Sequence, residues 1–268
     1  MNYKLLFPTY RNRYRFVRQH LRRQPNEGFL QALNLGTGEG DYDPMIASHG
    51  KSLTACDINE RDVAFAQSLN TGVPNLNYRI EDALNLSFPD NHFDLIISVD
   101  VIEHVGKPHR MLQEVARVLQ PGGQAVITFP QWYFPWTYDP INRIRTSLKQ
   151  SPIHQGAYAF GHEYLLKPEE FRKWAEELGL EVLQEKALTG HLAALLEMYW
   201  TGWVQRFLKD NARNVSADKQ KSLILRPSTR EPLLVYLTDA LCALDAMLFG
   251  RSRYSVGRGF VLKKRQTS

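Results

Sequence analysis

Hydrophobic positions change their period three times along the chain. Between residues 8 and 23, Tyr10, Tyr14, Val17 and Leu21 recur at i, i+4, i+7 and i+11. Arg11, Arg15, Arg18 and Arg22 repeat that spacing one residue later, about 100° further round a helix. The pattern predicts an amphipathic first helix with a cationic stripe. From residue 30 short apolar runs ending at Leu35, Asp57, Val99 and Phe129, with a weaker one before Glu81, alternate with helical periods. Such alternation predicts a parallel sheet wrapped by helices. Leu112, Val115, Ala116 and Leu119 form one helical stripe that Pro121-Gly122-Gly123 stops, and Phe171, Trp174, Ala175 and Leu178 form another that Pro168 opens. Leu180 to Leu188 and Gly259 to Lys264 read as two late strands.

Between those strands the period becomes helical again, over residues 190–250. Leu192, Leu195, Leu196, Tyr199, Trp200, Trp203, Phe207 and Leu208 make one wide stripe, and Leu234, Leu237, Leu241, Leu244 and Leu248 a second. Glu197 and Arg206 interrupt the first and Asp239 and Asp245 the second, so neither reads as a bilayer span. The stripes are expected to enclose an acceptor, to pack the insertion onto the body, or to join two copies as a homodimer. Phe129 to Pro140 is dense in aromatics and prolines and is expected to be an ordered loop.

With 268 residues, 43% hydrophobic and 23% charged, the chain has the composition of a globular protein with one core and appendages. Disordered, collagen-like and disulfide-scaffold classes are excluded. Cys56 and Cys242 lie in apolar runs and no secretory leader opens the sequence, which predicts a reduced, cytoplasmic protein. The net charge of +5 is unevenly spread. Residues 1–23 carry +7 and residues 251–268 carry +6, leaving a body of −8. The basic first helix is open to three readings: a solvated face, a lid over a bound cofactor, or peripheral contact with an anionic membrane. A nucleic-acid partner is not expected beside an acidic body, and no His, Cys or acidic cluster shows metal-ligand spacing.

The run Phe29 to Leu35 leads into Gly36-Thr37-Gly38-Glu39-Gly40 and a helix from about Tyr42. A strand, a glycine turn and a helix bring backbone close to a ligand and offer free N–H groups. Asp57 ends the next strand, placed to accept hydrogen bonds from a ribose diol. The dinucleotide pattern needs a glycine where this chain has Asp41, and a carboxylate there suits a cationic ligand better than a pyrophosphate. The spacing favours S-adenosylmethionine.

Five stretches in order, LNLGTGEG at 33–40, Cys56-Asp57-Ile58, Glu81-Asp82-Ala83, FDLIISVDVIEHV at 93–105 and VLQPGGQAVITF at 118–129, resemble the class I S-adenosylmethionine-dependent methyltransferases, near the ubiquinone-pathway O-methyltransferases. The resemblance implies a Rossmann-like α/β fold with a seven-stranded sheet, the last strand antiparallel and the helical insertion between the last two strands. It is expected to form one domain over residues 1–268, with a basic helix at 1–23, a cofactor core at 24–188, a substrate cap at 189–250 and a final strand and basic tail at 251–268. The resemblance also implies that Gly36, Gly38 and Gly40 line the methionine moiety, Asp57 with Ile58 beside it holds the ribose, Asp82 with Ala83 takes the adenine, and the Val99 backbone touches the cofactor. Asn34 stands where the family usually has an acid, which implies weaker binding there.

Methyl transfer needs an aligned acceptor and a base for any acceptor proton. His104 is the first candidate, with Glu103 orienting it or shaping the pocket, and His162 is the second. Capping by His104 is an equally weighted structural role, and His92, His109 and His154 read as loop residues. Tyr133 and Trp136 are candidates to cover the sulfonium or an apolar acceptor. A small hydrophobic or lipid-linked acceptor methylated on oxygen is the leading reading. N- or C-methylation, or a catalytically silent cofactor-binding partner subunit, are the alternatives.

Overall fold

The computed structural model describes residues 2–23, 28–133, 140–151, 165–197 and 230–266. Seven strands form one sheet: β1 (Ala32–Leu35), β2 (Leu53–Asp57), β3 (Leu76–Ile80), β4 (Phe93–Val99), β5 (Leu119–Pro130), β6 (Leu180–Leu188) and β7 (Gly257–Lys264). Their order is β3-β2-β1-β4-β5-β7-β6, and β7 runs antiparallel to both of its neighbours while the other pairs are parallel. The helices are α1 (Pro8–Leu21), α2 (Asp43–Ala47), α3 (Glu60–Leu69), α4 (Pro108–Val118), α5 (Pro140–Ser147), α6 (Pro168–Glu177) and α7 (Val235–Phe249).

The sheet is buried on both faces, which is why its central strands read as continuous apolar runs. Phe93 and Ile96 of β4 face one layer, where Met111, Leu112, Val115 and Phe171 of α4 and α6 pack. Leu95 and Ile97 face the other, against Phe16, Val17 and Ile46 of α1 and α2. Edge strand β6 instead alternates, and its Glu185 meets Arg172 at 2.6 Å. Helix α4 stops at Val118, before Pro121-Gly122-Gly123, because Leu119 already pairs with Phe93 as the first residue of β5.

The first helix and the insertion depart from their expected orientations. Helix α1 turns Arg11, Arg15 and Arg18 of its arginine stripe toward acids of the insertion and leaves Arg22 exposed. Arg11 bonds Asp239 at 2.8 Å and Glu231 at 3.1 Å, Arg15 bonds Asp239 at 3.2 Å, and Arg18 bonds Glu231. The insertion is inverted to match. On α7 Asp239 turns toward α1, Thr238 toward the Leu6 carbonyl and Asp245 toward residues 190–193, whereas Leu237, Leu244 and Leu248 of the apolar stripe, with Leu234 just before the helix, are exposed. Helical residues 191–197 do the same, with Glu197 buried and Leu195 and Leu196 exposed. The stripes therefore do not pack the described part of the insertion onto the body. Glu197 accepts a bond from the Thr9 backbone N–H at 2.6 Å, capping α1, which has no side-chain cap of its own. Asp245 of α7 does the same for residues 191–197, accepting from the Leu192 and Ala193 N–H groups at 3.0 and 3.2 Å. The remainder of the first stripe, from Tyr199 to Leu208, lies outside the described residues, as do Trp136, His154 and His162.

Candidate active site

The carboxyl ends of β3, β2, β1 and β4 open onto a cleft of about 560 Å³, the place where an open α/β sheet binds ligands. Each strand delivers one part of its wall. Beyond β1, the Gly36 and Thr37 N–H groups bond the Cys56 carbonyl at 2.8 and 2.9 Å, turning the chain sharply. Gly36 has φ +79°, and a Cβ there would lie 2.1 Å from Val101 Cγ2, so only glycine leaves the cleft floor open. Beyond β2, Asp57 accepts the Gly38 N–H at 2.9 Å with one oxygen and the Asn59 N–H at 3.0 Å with the other. These bonds fix the carboxylate and leave each oxygen a further lone pair for a ligand. Ile58 beside it is 69% exposed, an apolar surface offered to the cleft. Beyond β3, Asp82 accepts the Leu84 N–H at 2.9 Å through one oxygen only. Ala83 and Leu84 complete that end, and Val99, Asp100, Val101, His104, Val105 and Gly106 line the end below β4.

Two residues assigned to the cofactor by resemblance are not among those lining the cleft. Asn34 is 2% exposed and donates to Asp43 Oδ1 at 2.6 Å, and Asp43 also accepts from Thr37 at 2.7 Å and Tyr78 at 2.7 Å. An acid at position 34 would face that carboxylate directly, so the amide belongs to a buried network under the glycine turn. Burial raises the pKa of Asp43, and these three donors hold it down. Gly40 meets Ala66 and Asn70 instead of the cleft, where a Cβ would come within 2.8 Å of both.

His104 reaches the cleft, with 43% of its side chain exposed. Glu103 does not orient it as expected. Its carboxyl is fully buried, neither oxygen has a hydrogen-bond partner, and the nearer one lies 3.8 Å from His104 Nε2, beyond bonding range. Burial, with Asp100 nearby, pushes the Glu103 pKa well up, which favours its neutral form, and the side chain is not among those lining the cleft. Tyr133 is likewise turned away from the expected role, its ring lying under the Arg253 guanidinium at 4.4 Å.

Asp100 was not singled out from the sequence. It sits one residue past Val99 at φ +55°, a conformation that an L-residue rarely adopts. Its carboxylate lines the cleft while accepting from Arg13 Nε at 2.7 Å and Thr128 Oγ at 3.0 Å. Arg13 comes from α1, so the first helix helps to build the cleft wall. Lys4, just before α1, bonds Glu39 at 3.1 Å and also Asp41. Tyr10 and Tyr14 pack on Tyr42 with ring centroids 5.5 and 5.7 Å away. Helix α1 thus packs on Tyr42, and the segment before it contacts the glycine turn.

Because Lys4 neutralises Asp41, that carboxylate alone does not argue against a pyrophosphate. The cleft itself does: Asp57, Glu81, Asp82 and Asp100 line it, and among the described residues its lining holds no lysine or arginine, Arg13 touching it only through its bond to Asp100. Four acids, an apolar face at Ile58 and a glycine cradle fit a ligand that joins a sulfonium and an ammonium to a nucleoside, and fit a dinucleotide poorly.

Known proteins agree with this fit. A family described as a methyltransferase domain matches residues 33–127. The ubiquinone biosynthesis O-methyltransferase of Coxiella burnetii is 27% identical over 168 residues, covering 59% of this chain and 67% of its own. Among solved structures, the cyclase SpnF superposes with TM-score 0.60 at 17% identity, covering 95% of this chain and 81% of its own. Phosphoethanolamine N-methyltransferase 2 of Haemonchus contortus, solved with S-adenosyl-L-methionine, superposes with TM-score 0.55 at 18% identity, covering 94% of this chain and 53% of its own. The methyltransferase-domain match over residues 33–127, five sequence motifs in order and the antiparallel seventh strand support a class I S-adenosylmethionine-dependent methyltransferase.

Proposed function

We propose that the protein methylates a hydroxyl oxygen of a small hydrophobic or lipid-linked acceptor, with His104 or His162 as the base. The observation that carries the reading is the place of His104. It stands past β4, two strands from the Asp57 end of the cleft, beside Val101 and Val105 and with its ring open to the cavity. An imidazole takes up a proton near neutral pH, which suits a hydroxyl that must lose one as its oxygen attacks. Resemblance to an O-methyltransferase of ubiquinone biosynthesis supports oxygen as the target.

Bound S-adenosylmethionine would supply a methyl group already activated by its sulfonium. The chain's own work is alignment. Asp57 and Asp82 would hold the ribose and the adenine, the Gly36 turn would let the backbone approach, and the acidic wall would favour the positive charge. Asp100, fixed by Arg13 and Thr128, would set the boundary between cofactor and acceptor. The aliphatic side chains around His104 would exclude water from the hydroxyl as it reacts. The alternative of a silent partner subunit drew its support from Asn34, and the Asn34–Asp43 bond gives that substitution a structural role.

His104→Gln should lower kcat by about 10²- to 10⁴-fold while leaving cofactor affinity unchanged. Mass spectrometry of an acceptor panel, measured beside calorimetry of the cofactor, checks both parts. No cofactor binding by the wild type would refute the enzyme reading. An unchanged kcat in the variant would remove His104 and leave His162→Gln as the next test.

A further inference from the structure

We propose that the outer face of α7, with the basic pocket on its flank, is a seat for an anionic lipid bilayer. Leu233, Tyr236, Leu237, Leu244, Met247 and Leu248 form one continuous apolar surface, and Leu233, Leu237 and Met247 are 82, 69 and 74% exposed. A surface helix ordinarily turns its polar side to water, and contiguous apolar patches of this kind mark interaction sites. Here both acids of the helix, Asp239 and Asp245, point into the molecule.

The charges around this face are cationic. Arg251 and Arg253 follow the last turn of α7. On its flank a pocket of about 110 Å³ has Asn12, Arg15 and Lys186 in its wall and Cys242, Ala246 and Phe249 of α7 at its base. Its one lining acid, Asp245, is engaged by the Leu192 and Ala193 N–H groups. Lys186 has its pKa lowered by burial and then by Arg15 and Arg23, a strain that an anionic headgroup would relieve. An apolar helix face edged by cations is the pattern of a helix lying in the interface of an anionic membrane. A second copy would be matched less well. A two-fold contact pairs a patch with itself, and none of the exposed described side chains of α7 is acidic, so this face offers the Arg251 of a second copy no counter-charge. The pocket lies where β6 ends, on the same edge of the sheet as the cleft, since Leu188 and Pro130 both pair with Gly257. The seat shares Arg15, itself bonded to Asp239, with the arginine stripe of α1, whereas Arg11 and Arg18 of that stripe are committed to Asp239 and Glu231. It holds whatever the methyl acceptor is.

Flotation of the full chain with phosphatidylcholine vesicles, with and without phosphatidylglycerol, tests the seat at low salt. The wild type should float with the anionic vesicles. The triple variant Leu237→Ser, Leu244→Ser, Met247→Ser should lose about tenfold or more in partitioning, and Lys186→Ala about fivefold on the anionic vesicles alone. All three substituted α7 side chains are exposed, and thermal unfolding should show the variant folded. Failure of the wild type to float would overturn the proposal, as would flotation of the triple variant equal to wild type. A wild-type dimer in light scattering that the triple variant dissociates, without flotation, would assign the face to a second copy instead.

Discussion

Asn34, Glu103 and Asp100 each behave differently from what residue type and position suggest, and each can be tested by a single substitution. Asn34→Asp would set a second carboxylate against Asp43, 2.6 Å from the present amide. The pair would hold a proton that the unfolded chain releases, so folded pKa exceeds unfolded pKa. Stability should be close to wild type at low pH and fall by about 1–3 kcal/mol as pH rises through the carboxylate range, read by denaturant titration. Glu103 is held neutral by burial, so Glu103→Gln should keep stability within about 1 kcal/mol and leave kcat near wild type. An anionic Glu103 orienting His104 would instead show a large loss. His20 offers a third readout. Burial and then Arg23 depress its pKa to about 4, below its ordinary 6.5. Its contribution is complete above pH 6.5 and is lost as pH falls toward 4, at a slope of roughly 1.4 kcal/mol per pH unit that His20→Gln should remove. Asp57, Asp82 and the glycines were readable because their spacing follows strand ends. Asp100 carried no such signal, since its role depends on a positive φ and on an arginine of the first helix, 87 residues away in the chain.

Helices show where periodicity stops being informative. For α4 and α6 the apolar stripe gave the buried face, because each has only the sheet to pack against. In the insertion the same kind of stripe faces out, and what decides is not visible in the period. Asp239, Asp245 and Glu197 have partners in Arg11, in the backbone N–H groups of Gly190, Leu192 and Ala193, and in Thr9, and Arg11 lies 228 residues from Asp239. Buried acids need those partners, and the leucines are displaced to the outside. The Arg stripe of α1 was visible, yet its target was not, for the same reason. Arg11→Ala should show the strength of this coupling. Its side chain is 3% exposed, and removing it leaves Asp239 and Glu231 partly buried without their main counter-charge. A loss of about 2–4 kcal/mol is expected in thermal or chemical unfolding, with recovery when Asp239→Asn is combined with it.

At the scale of the whole molecule, the seven-stranded sheet and its antiparallel last strand were implied by the resemblance the motifs carry, the strand order is visible only in the structure, and acids of the −8 body line the cleft. A network of acids and arginines runs from α7 through residues 191–197 and α1 to Asp100, so the insertion and the cofactor end are one cooperative unit. Among the described residues no helix is long and apolar enough to cross a membrane. The position of β7 has a consequence in time. As the chain is synthesised, β6 emerges well before the strand that joins it to β5, because residues 257–264 fill the gap between them. Helix α1 emerges earlier still and waits for Glu197, Glu231 and Asp239. Until residues 257–264 arrive, the nascent protein holds an open sheet edge between β5 and β6, and that interval leaves it exposed to wrong pairing on the ribosome.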